Sequence, residues 1–217
     1  MFKIKICGLT SLEDARLAWG YGADLLGFVL AEDTKRSLDI NEASHIIRQL
    51  RLEYKDVVTV GLFVTEDLED MAYAAALCEL NHVQLHGHET PKDCSDLKEL
   101  VDKKYGRKIQ IIKAFRVADE IQPIDSYTIS DYDAADYFVF DTFHHTIGPD
   151  NLETINREYD IQITGIIHIS AVTADTSTEE YRDEHRNIDF MTDKFKSKEQ
   201  IEYFIKNGYD GIVSFEP

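Results

Sequence analysis

"KIKICGLTSLEDARLAWGYGADLLGFVL" (residues 3–30) has the pattern of one strand–helix–strand unit. Residues 3–7 alternate apolar and basic side chains, as a short strand does. Ser11 is a candidate helix N-cap, and the acidic residues after it favour a helix over 11–22. The apolar run at 23–30 predicts a second strand that is buried on both faces. Strands of that kind are typical of parallel sheets covered by helices.

The same alternation of strand and helix continues along the chain. It predicts further strands at 57–64, 82–87, 109–117, 136–142 and 163–170, and helices at 40–54, 67–80 and 90–106. Repeated units of this type form either a closed barrel or an open doubly wound sheet. No glycine-rich nucleotide-binding motif follows the first strand, and 217 residues suit a compact eight-unit barrel. We therefore predict an α/β fold, a (β/α)8 TIM barrel that forms a single domain over residues 1–217.

Two segments compete for the eighth strand. "NIDFMT" (187–192) is the preferred candidate, with a closing helix over 197–207. The alternative is "DGIVSF" (210–215), because "KNGYDGIVSF" repeats the pattern of "AWGYGADLLGFV" near the start of the chain.

Charge and hydropathy restrict the classes of partner. The formal net charge is −18, from 23 basic and 41 acidic residues, and such a field repels nucleic acids and anionic membranes. No apolar run reaches the length of a membrane-spanning helix, about 18 residues, and the N-terminus has no basic-then-apolar leader. We expect a cytoplasmic protein that needs a local positive site for any anionic ligand.

The cysteines and histidines do not predict a metal site or a disulfide. Cys7, Cys78 and Cys94 are odd in number and lack CxxC spacing. Cys78 fits an apolar helix face, and we expect Cys94 on a helix surface. Histidines at 86–88 and 144–145 fall in predicted loops, but their spacing is not that of a zinc site.

Barrel enzymes place their sites where the strands end, on the loops that lead into the helices. Polar residues at these ends are Cys7, Arg36, His86, Arg116 and Asp141. A thiol can form a thiolate near neutral pH beside a cation, and a carboxyl group at an apolar strand end can stay protonated. Cys7 and Asp141 are therefore a candidate general base and general acid.

Each of these residues also has a purely structural alternative. Cys7 could be a buried thiol at a strand end, and Asp141 could be a helix N-cap or a turn residue. Arg36 could be a solvated residue paired with Asp33 or Asp39. Its functional alternative is a bidentate clamp on a substrate carboxylate.

Five segments in order resemble the phosphoribosylanthranilate isomerase family of barrel enzymes. They are "KICGLTSLEDA" (5–15), "GADLLGFVLAEDTKRSL" (22–38), "VGLFVTEDLEDM" (60–71), "VQLHGHET" (83–90) and "FVFDT" (138–142). The resemblance implies an isomerase of tryptophan biosynthesis that carries out an Amadori rearrangement of a phosphosugar substrate. It implies that Cys7 is the general base, that Asp141 is the general acid and that Arg36 holds the anthranilate carboxylate. It also implies no cofactor, and a monomer or homodimer.

The resemblance weakens in the last third of the chain. Ser170 and Ala171 stand where the family has a glycine pair after strand seven, and "FMTDKF" (190–195) replaces its Ser-Ser-Gly-type turn. Since glycine lets a backbone approach a phosphate closely, these changes alter the expected phosphate site. We expect Ser170, Ala171 and Thr192, with His86, to bind the substrate. The alternative is a catalytically altered or inactive paralog that binds, regulates or acts on another sugar phosphate.

Overall fold

Eight parallel strands form a closed barrel in the computed structural model. The model describes residues 3–32, 34, 36–117, 124, 126–142, 166–170, 202, 205–206 and 208–216. The strands pair in sequence order, and the eighth pairs with the first. They are β1 Lys3–Ile6, β2 Leu25–Val29, β3 Thr59–Phe63, β4 His82–Leu85, β5 Gln110–Val117, β6 Tyr137–Thr142, β7 Ile166–Ser170 and β8 Ile212–Glu216. The predicted (β/α)8 barrel is confirmed.

The helices described in the first half of the chain begin at side-chain caps. These helices are α1 Leu12–Gly20, α2 Ile40–Glu53, α3 Leu68–Leu77 and α4 Pro91–Tyr105. Oxygens of Ser11, Asp39, Asp67 and Thr90 each accept a hydrogen bond from a backbone N–H of the first turn. Such a cap is worth about 1 kcal/mol relative to alanine. Because each cap ends a loop that follows a strand, the caps also hold the rim of the barrel in place.

The apolar core has two layers. Side chains of the inner layer fill the barrel and alternate along each strand with outward-facing ones; they include Leu25, Val60, Ile112, Ala114, Val139 and Ile212. The outer layer lies between the sheet and the helices and includes Leu26, Phe28, Ile47, Phe63, Leu85 and Leu97. Cys94 belongs to this outer layer and is buried, so the prediction of a surface position for it is wrong. It lies on the face of α4 that also buries Leu97.

The eighth strand is the alternative candidate, and the preferred assignment to 187–192 is wrong. The strand that closes the barrel is β8, Ile212–Glu216, which pairs with β7 and β1. Gly22 and Gly208 both adopt a left-handed backbone, with φ of +94° and +87°, shortly before a strand. That shared turn is the physical basis of the sequence repeat. Residues 187–192 lie outside the described part of the chain.

Candidate active site

The predicted site residues are distributed around one end of the barrel. Cys7 directly follows β1, and His86 directly follows β4. Arg36 lies in the loop between β2 and α2, and Asp141 is in the last part of β6. Because the strands are parallel, all four positions belong to the carboxyl-terminal mouth of the barrel, where barrel enzymes hold their substrates.

Cys7 is enclosed within this mouth. Its side chain has 0% of its surface exposed and packs in a small apolar cluster with Val29, Ala31 and Leu62. Gly27 on β2 leaves room for it: a Cβ atom at residue 27 would lie 2.9 Å from the Cys7 Sγ and 3.2 Å from the Cε of Lys5. The thiol therefore points into the barrel, above Lys5, because residues two positions apart along a strand lie on the same face.

The side chain of Arg36 packs against Gly8, the glycine that directly follows Cys7. Gly8 has a φ of +80°, and a Cβ atom there would lie 2.7 Å from a terminal guanidinium nitrogen of Arg36. Only glycine accommodates both the left-handed backbone and this close approach. The side chain of Arg36 is half-buried. The guanidinium of Arg36 therefore packs against the turn that directly follows Cys7.

His86 is linked to the interior of the barrel by two polar residues that sequence reasoning missed. The Nδ1 atom of His86 lies 3.3 Å from the Nε2 of Gln84, and the Oε1 of Gln84 accepts a hydrogen bond of 2.8 Å from the Nζ of Lys5. Lys5 is 1% exposed and also contacts the hydroxyl of Ser214 at 3.5 Å. The signal available in the sequence was the alternation of "KIKIC", which places Lys5 and Cys7 on the same face of the strand.

A buried ion pair supports the loop that carries His86. Glu89 accepts a hydrogen bond of 2.9 Å from the Nζ of Lys113, and both side chains are almost fully buried. The same carboxylate accepts from the backbone N–H groups of Thr65 and Gly87, which follow β3 and β4. Burial lowers the pKa of Lys113, and Glu89 opposes that shift. The pair therefore ties two neighbouring loops of the mouth to the outer face of β5.

Asp141 is placed by the backbone alone. It lies opposite Arg116 in the pairing of β5 with β6, two positions beyond Val139, which faces the barrel interior. Arg116 is exposed. The backbone thus puts Asp141 at the mouth, at a position of β6 that shares a strand face with Val139.

The predicted phosphate-binding residues are only partly described. Ser170 is the last residue of β7 and lies opposite Glu216 of β8. Ala171 and Thr192 lie outside the described residues. Thr192 was expected at the end of strand eight, and the position of β8 removes that reason.

Neither a metal-binding cluster nor a membrane-spanning helix is found among the described residues. Among them, no cluster of three or more histidine, cysteine, aspartate or glutamate side chains is arranged to hold a metal ion. No helix in this part of the chain is both long and apolar enough to cross a membrane.

Known proteins match this chain in sequence and in fold. The family model described as N-(5'phosphoribosyl)anthranilate (PRA) isomerase matches residues 4–151. An N-(5'-phosphoribosyl)anthranilate isomerase of Pelobacter propionicus is 45% identical over 132 residues, which is 60% of this chain and 57% of the relative. The match therefore spans less than two thirds of that curated relative.

Solved structures extend the similarity over the whole barrel. A phosphoribosyl anthranilate isomerase in complex with reduced 1-(o-carboxyphenylamino)-1-deoxyribulose 5-phosphate has a TM-score of 0.65 at 23% identity, covering 100% of this chain and 87% of the other. Monomers derived from the dimeric enzyme of Thermotoga maritima give 0.65 at 22% identity, with the same coverage. At these identities the likeness shows the fold. The family model covers more than half of the chain, and on that match the chain belongs to the N-(5'-phosphoribosyl)anthranilate isomerase family.

Proposed function

We propose that this protein catalyses the Amadori rearrangement of N-(5-phosphoribosyl)anthranilate to 1-(o-carboxyphenylamino)-1-deoxyribulose 5-phosphate. The single observation that carries the proposal is the contact of the Arg36 guanidinium with Gly8, next to the thiol of Cys7. A guanidinium at this turn can hold the carboxylate of an aromatic substrate beside the residue that is to act as base. Membership of the isomerase family supports this choice of substrate.

The reaction needs one acid and one base on the same substrate. Asp141 protonates the ring oxygen of the ribose, which opens the furanose and leaves a Schiff base with the substrate nitrogen. The thiolate of Cys7 then removes the proton from C2, and the electrons move into the Schiff base to give an enolamine. The enolamine tautomerises to the ketone. Arg36 holds the anthranilate carboxylate during both steps, and the substrate nitrogen serves as the electron sink, so the reaction requires no cofactor.

The burial of Cys7 adds a requirement to this mechanism. A general base must lie within hydrogen-bond distance of the proton that it removes, about 3 Å between heavy atoms. Because the thiol has no exposed surface, the substrate must displace the groups that cover it. Among the described residues, Val29, Ala31 and Leu62 pack against Cys7, so a shift of one of these side chains would open the path to the sulfur.

The phosphate of the substrate belongs on the β7 side of the mouth, two strands around the barrel from Cys7. We place it near Ser170 and Ala171, where the loop after β7 begins. The hydroxyl of Ser170 and backbone N–H groups of that loop are the donors that a phosphate requires.

The remaining properties follow from the same assignment. We propose a single-domain cytoplasmic enzyme of tryptophan biosynthesis that acts as a monomer or a homodimer. The dimeric enzyme of Thermotoga maritima is a precedent for the second state.

The test is the loss of phosphoribosylanthranilate fluorescence with the purified protein. We expect turnover by the wild type and a loss of roughly 10²-fold or more in kcat for Cys7→Ser and for Asp141→Asn, the usual cost of removing a general acid or base. Cys78→Ala is the matched control, because Cys78 is a buried thiol at the end of α3. A folded wild-type protein without turnover would overturn the proposal, as would full activity in the Cys7 variant.

A further inference from the structure

We propose that Lys5, through Gln84, fixes His86 as the neutral tautomer that carries its proton on Nε2. Lys5 and Gln84 then act as positioning residues, and Nε2 is the hydrogen-bond donor edge of the His86 ring. Three consecutive hydrogen-bonding groups inside the barrel, Lys5, Gln84 and His86, have a polarity that sets this tautomer. The proposal rests on the proposed function only for the identity of the ligand that His86 meets.

The first step is the orientation of the Gln84 amide. A lysine ammonium carries three donors and no acceptor, and the Nζ of Lys5 lies 2.8 Å from the side-chain oxygen of Gln84. The opposite orientation of the amide would bring its NH₂ group against the ammonium, two donors facing each other. Gln84 and Lys5 are each 1% exposed, so water is excluded from that contact. The buried charge therefore determines which end of the amide faces it.

The orientation of the Gln84 amide in turn determines which nitrogen of the His86 ring carries the proton. With its oxygen on Lys5, Gln84 turns its NH₂ group towards the Nδ1 of His86, at 3.3 Å. Because that group donates, Nδ1 must accept and cannot carry a proton. In a neutral ring the proton is then on Nε2. The doubly protonated ring has no acceptor at Nδ1 and does not fit the same contact.

The third step concerns what the ring can recognise. His86 is half-buried at the end of β4, and its backbone N–H continues the ladder by donating to the carbonyl oxygen of Phe63. The imidazole is therefore held at the mouth with a defined donor edge. The matching group on a ligand is an acceptor, such as a carboxylate, a hydroxyl or a phosphate oxygen.

The tautomer can be measured without any enzyme activity. Nitrogen NMR of the protein labelled in its histidines separates protonated from unprotonated ring nitrogens, and His86→Gln identifies the signals of this ring among eight histidines. At a pH where free histidine is neutral, we expect an unprotonated Nδ1 and a protonated Nε2 in the wild type. A protonated Nδ1 in the wild type would overturn the proposal.

Two variants test the chain of contacts. Gln84→Glu replaces the amide by a carboxylate that accepts on both sides, so we expect the proton to appear on Nδ1 of His86. Lys5→Met keeps the length of the stem and removes the charge, so the amide can turn over and both tautomers become populated. Ser214→Ala is the matched control, because Ser214 lies 3.5 Å from the Nζ of Lys5 and takes no part in the contact of Gln84 with His86; the His86 ring signals of this variant should equal those of the wild type. Unchanged signals in both Gln84→Glu and Lys5→Met would contradict the proposal.

Binding of the reduced product analogue tests the consequence for recognition. The amide nitrogen of glutamine reaches about as far as Nε2 of histidine, and that of asparagine reaches only as far as Nδ1. We expect His86→Gln to bind the analogue roughly tenfold more tightly than His86→Asn, the value of one hydrogen bond to a charged group. An equal loss of affinity in both variants would show that Nε2 of His86 donates no hydrogen bond to the analogue. The NMR measurement of the tautomer does not depend on the isomerase assignment.

Discussion

At the scale of single residues, two glycines determine the geometry around the thiol. Gly27 leaves the space that Cys7 fills, and Gly8 supplies the left-handed turn against which Arg36 packs. Neither role is visible in composition or periodicity, because the sequence shows a glycine but not the side chain that occupies its space. The residue types and order of the site were predictable, and these close contacts were not.

Gly27→Ala tests the space beside the thiol. The added Cβ atom would lie 2.9 Å from Sγ and 3.1 Å from Cα of Cys7, and a clash of that kind in a packed interior costs about 1–3 kcal/mol. We expect a lower free energy of unfolding in urea together with a lower kcat, since the sulfur must move. Gly20→Ala is the control: nothing lies within 4 Å of its added Cβ at the end of α1. Equal stability of the two variants would contradict the packing described here.

His82 makes the stability of the protein depend on pH. Its side chain is 7% exposed, its Nδ1 has no hydrogen-bond partner among the described residues, and burial lowers its pKa to about 4. In the unfolded chain this histidine has an ordinary pKa of about 6.5. At pH values between about 4 and about 6.5, the unfolded chain therefore binds more protons than the folded protein. Stability therefore falls as the pH drops from about 6.5 to about 4.

The size of this effect follows from the two pKa values. Lowering the pH from 7 to 5 should cost the wild type about 2 kcal/mol more than His82→Gln in urea unfolding experiments. The exposed His88→Gln serves as the control and should follow the wild type. A wild type and His82→Gln with parallel pH profiles would show that His82 is not buried as a neutral ring.

At the scale of elements, the sequence predicted strand and helix positions well where local signals exist. Predicted helix starts at 40 and 90 agree with α2 and α4 within one residue, because Asp39 and Thr90 are strong N-caps. The buried ion pair of Glu89 with Lys113 was not predicted. Its partners are distant in sequence and meet only when β4 and β5 pair.

Glu89→Gln tests the ion pair that joins the two loops of the mouth. The variant leaves the ammonium of Lys113 buried without its counter-charge, and such a loss costs about 3–5 kcal/mol. We expect a correspondingly lower free energy of unfolding, and the double variant with Lys113→Met should recover part of it. Glu99→Gln breaks an exposed pair with Lys103 on α4 and should leave the unfolding midpoint nearly unchanged. If Glu89→Gln lowers the free energy of unfolding no more than Glu99→Gln does, the ion pair does not stabilise the mouth as described.

At the scale of the whole molecule, the barrel was predictable because eight repeated units have few other ways to cover a parallel sheet. The position of the eighth strand was harder to predict. Its segment has the same Gly-turn-strand signal as β2, whereas 187–192 offered only a short apolar run. Closure of the barrel decides between them, since β8 must pair with β1 and β7 simultaneously. No local pattern expresses that requirement.

The same closure brings the ends of β1 and β6 to one mouth, and the proposed chemistry depends on it. Cys7 follows a strand at one end of the chain, and Asp141 is more than a hundred residues further along. The net charge of −18 disfavours an anionic substrate everywhere except at a local cationic site, and Arg36, packed against Gly8, is the candidate for such a site.

A crystal structure with the reduced product analogue tests this claim most directly. The account predicts that the sulfur of Cys7 and the carboxyl group of Asp141 lie on opposite sides of the ribulose chain, each within about 3–3.5 Å of it, with the anthranilate carboxylate on Arg36. An analogue bound in this mouth with either group directed away from the sugar, or an analogue bound elsewhere on the barrel, would contradict it.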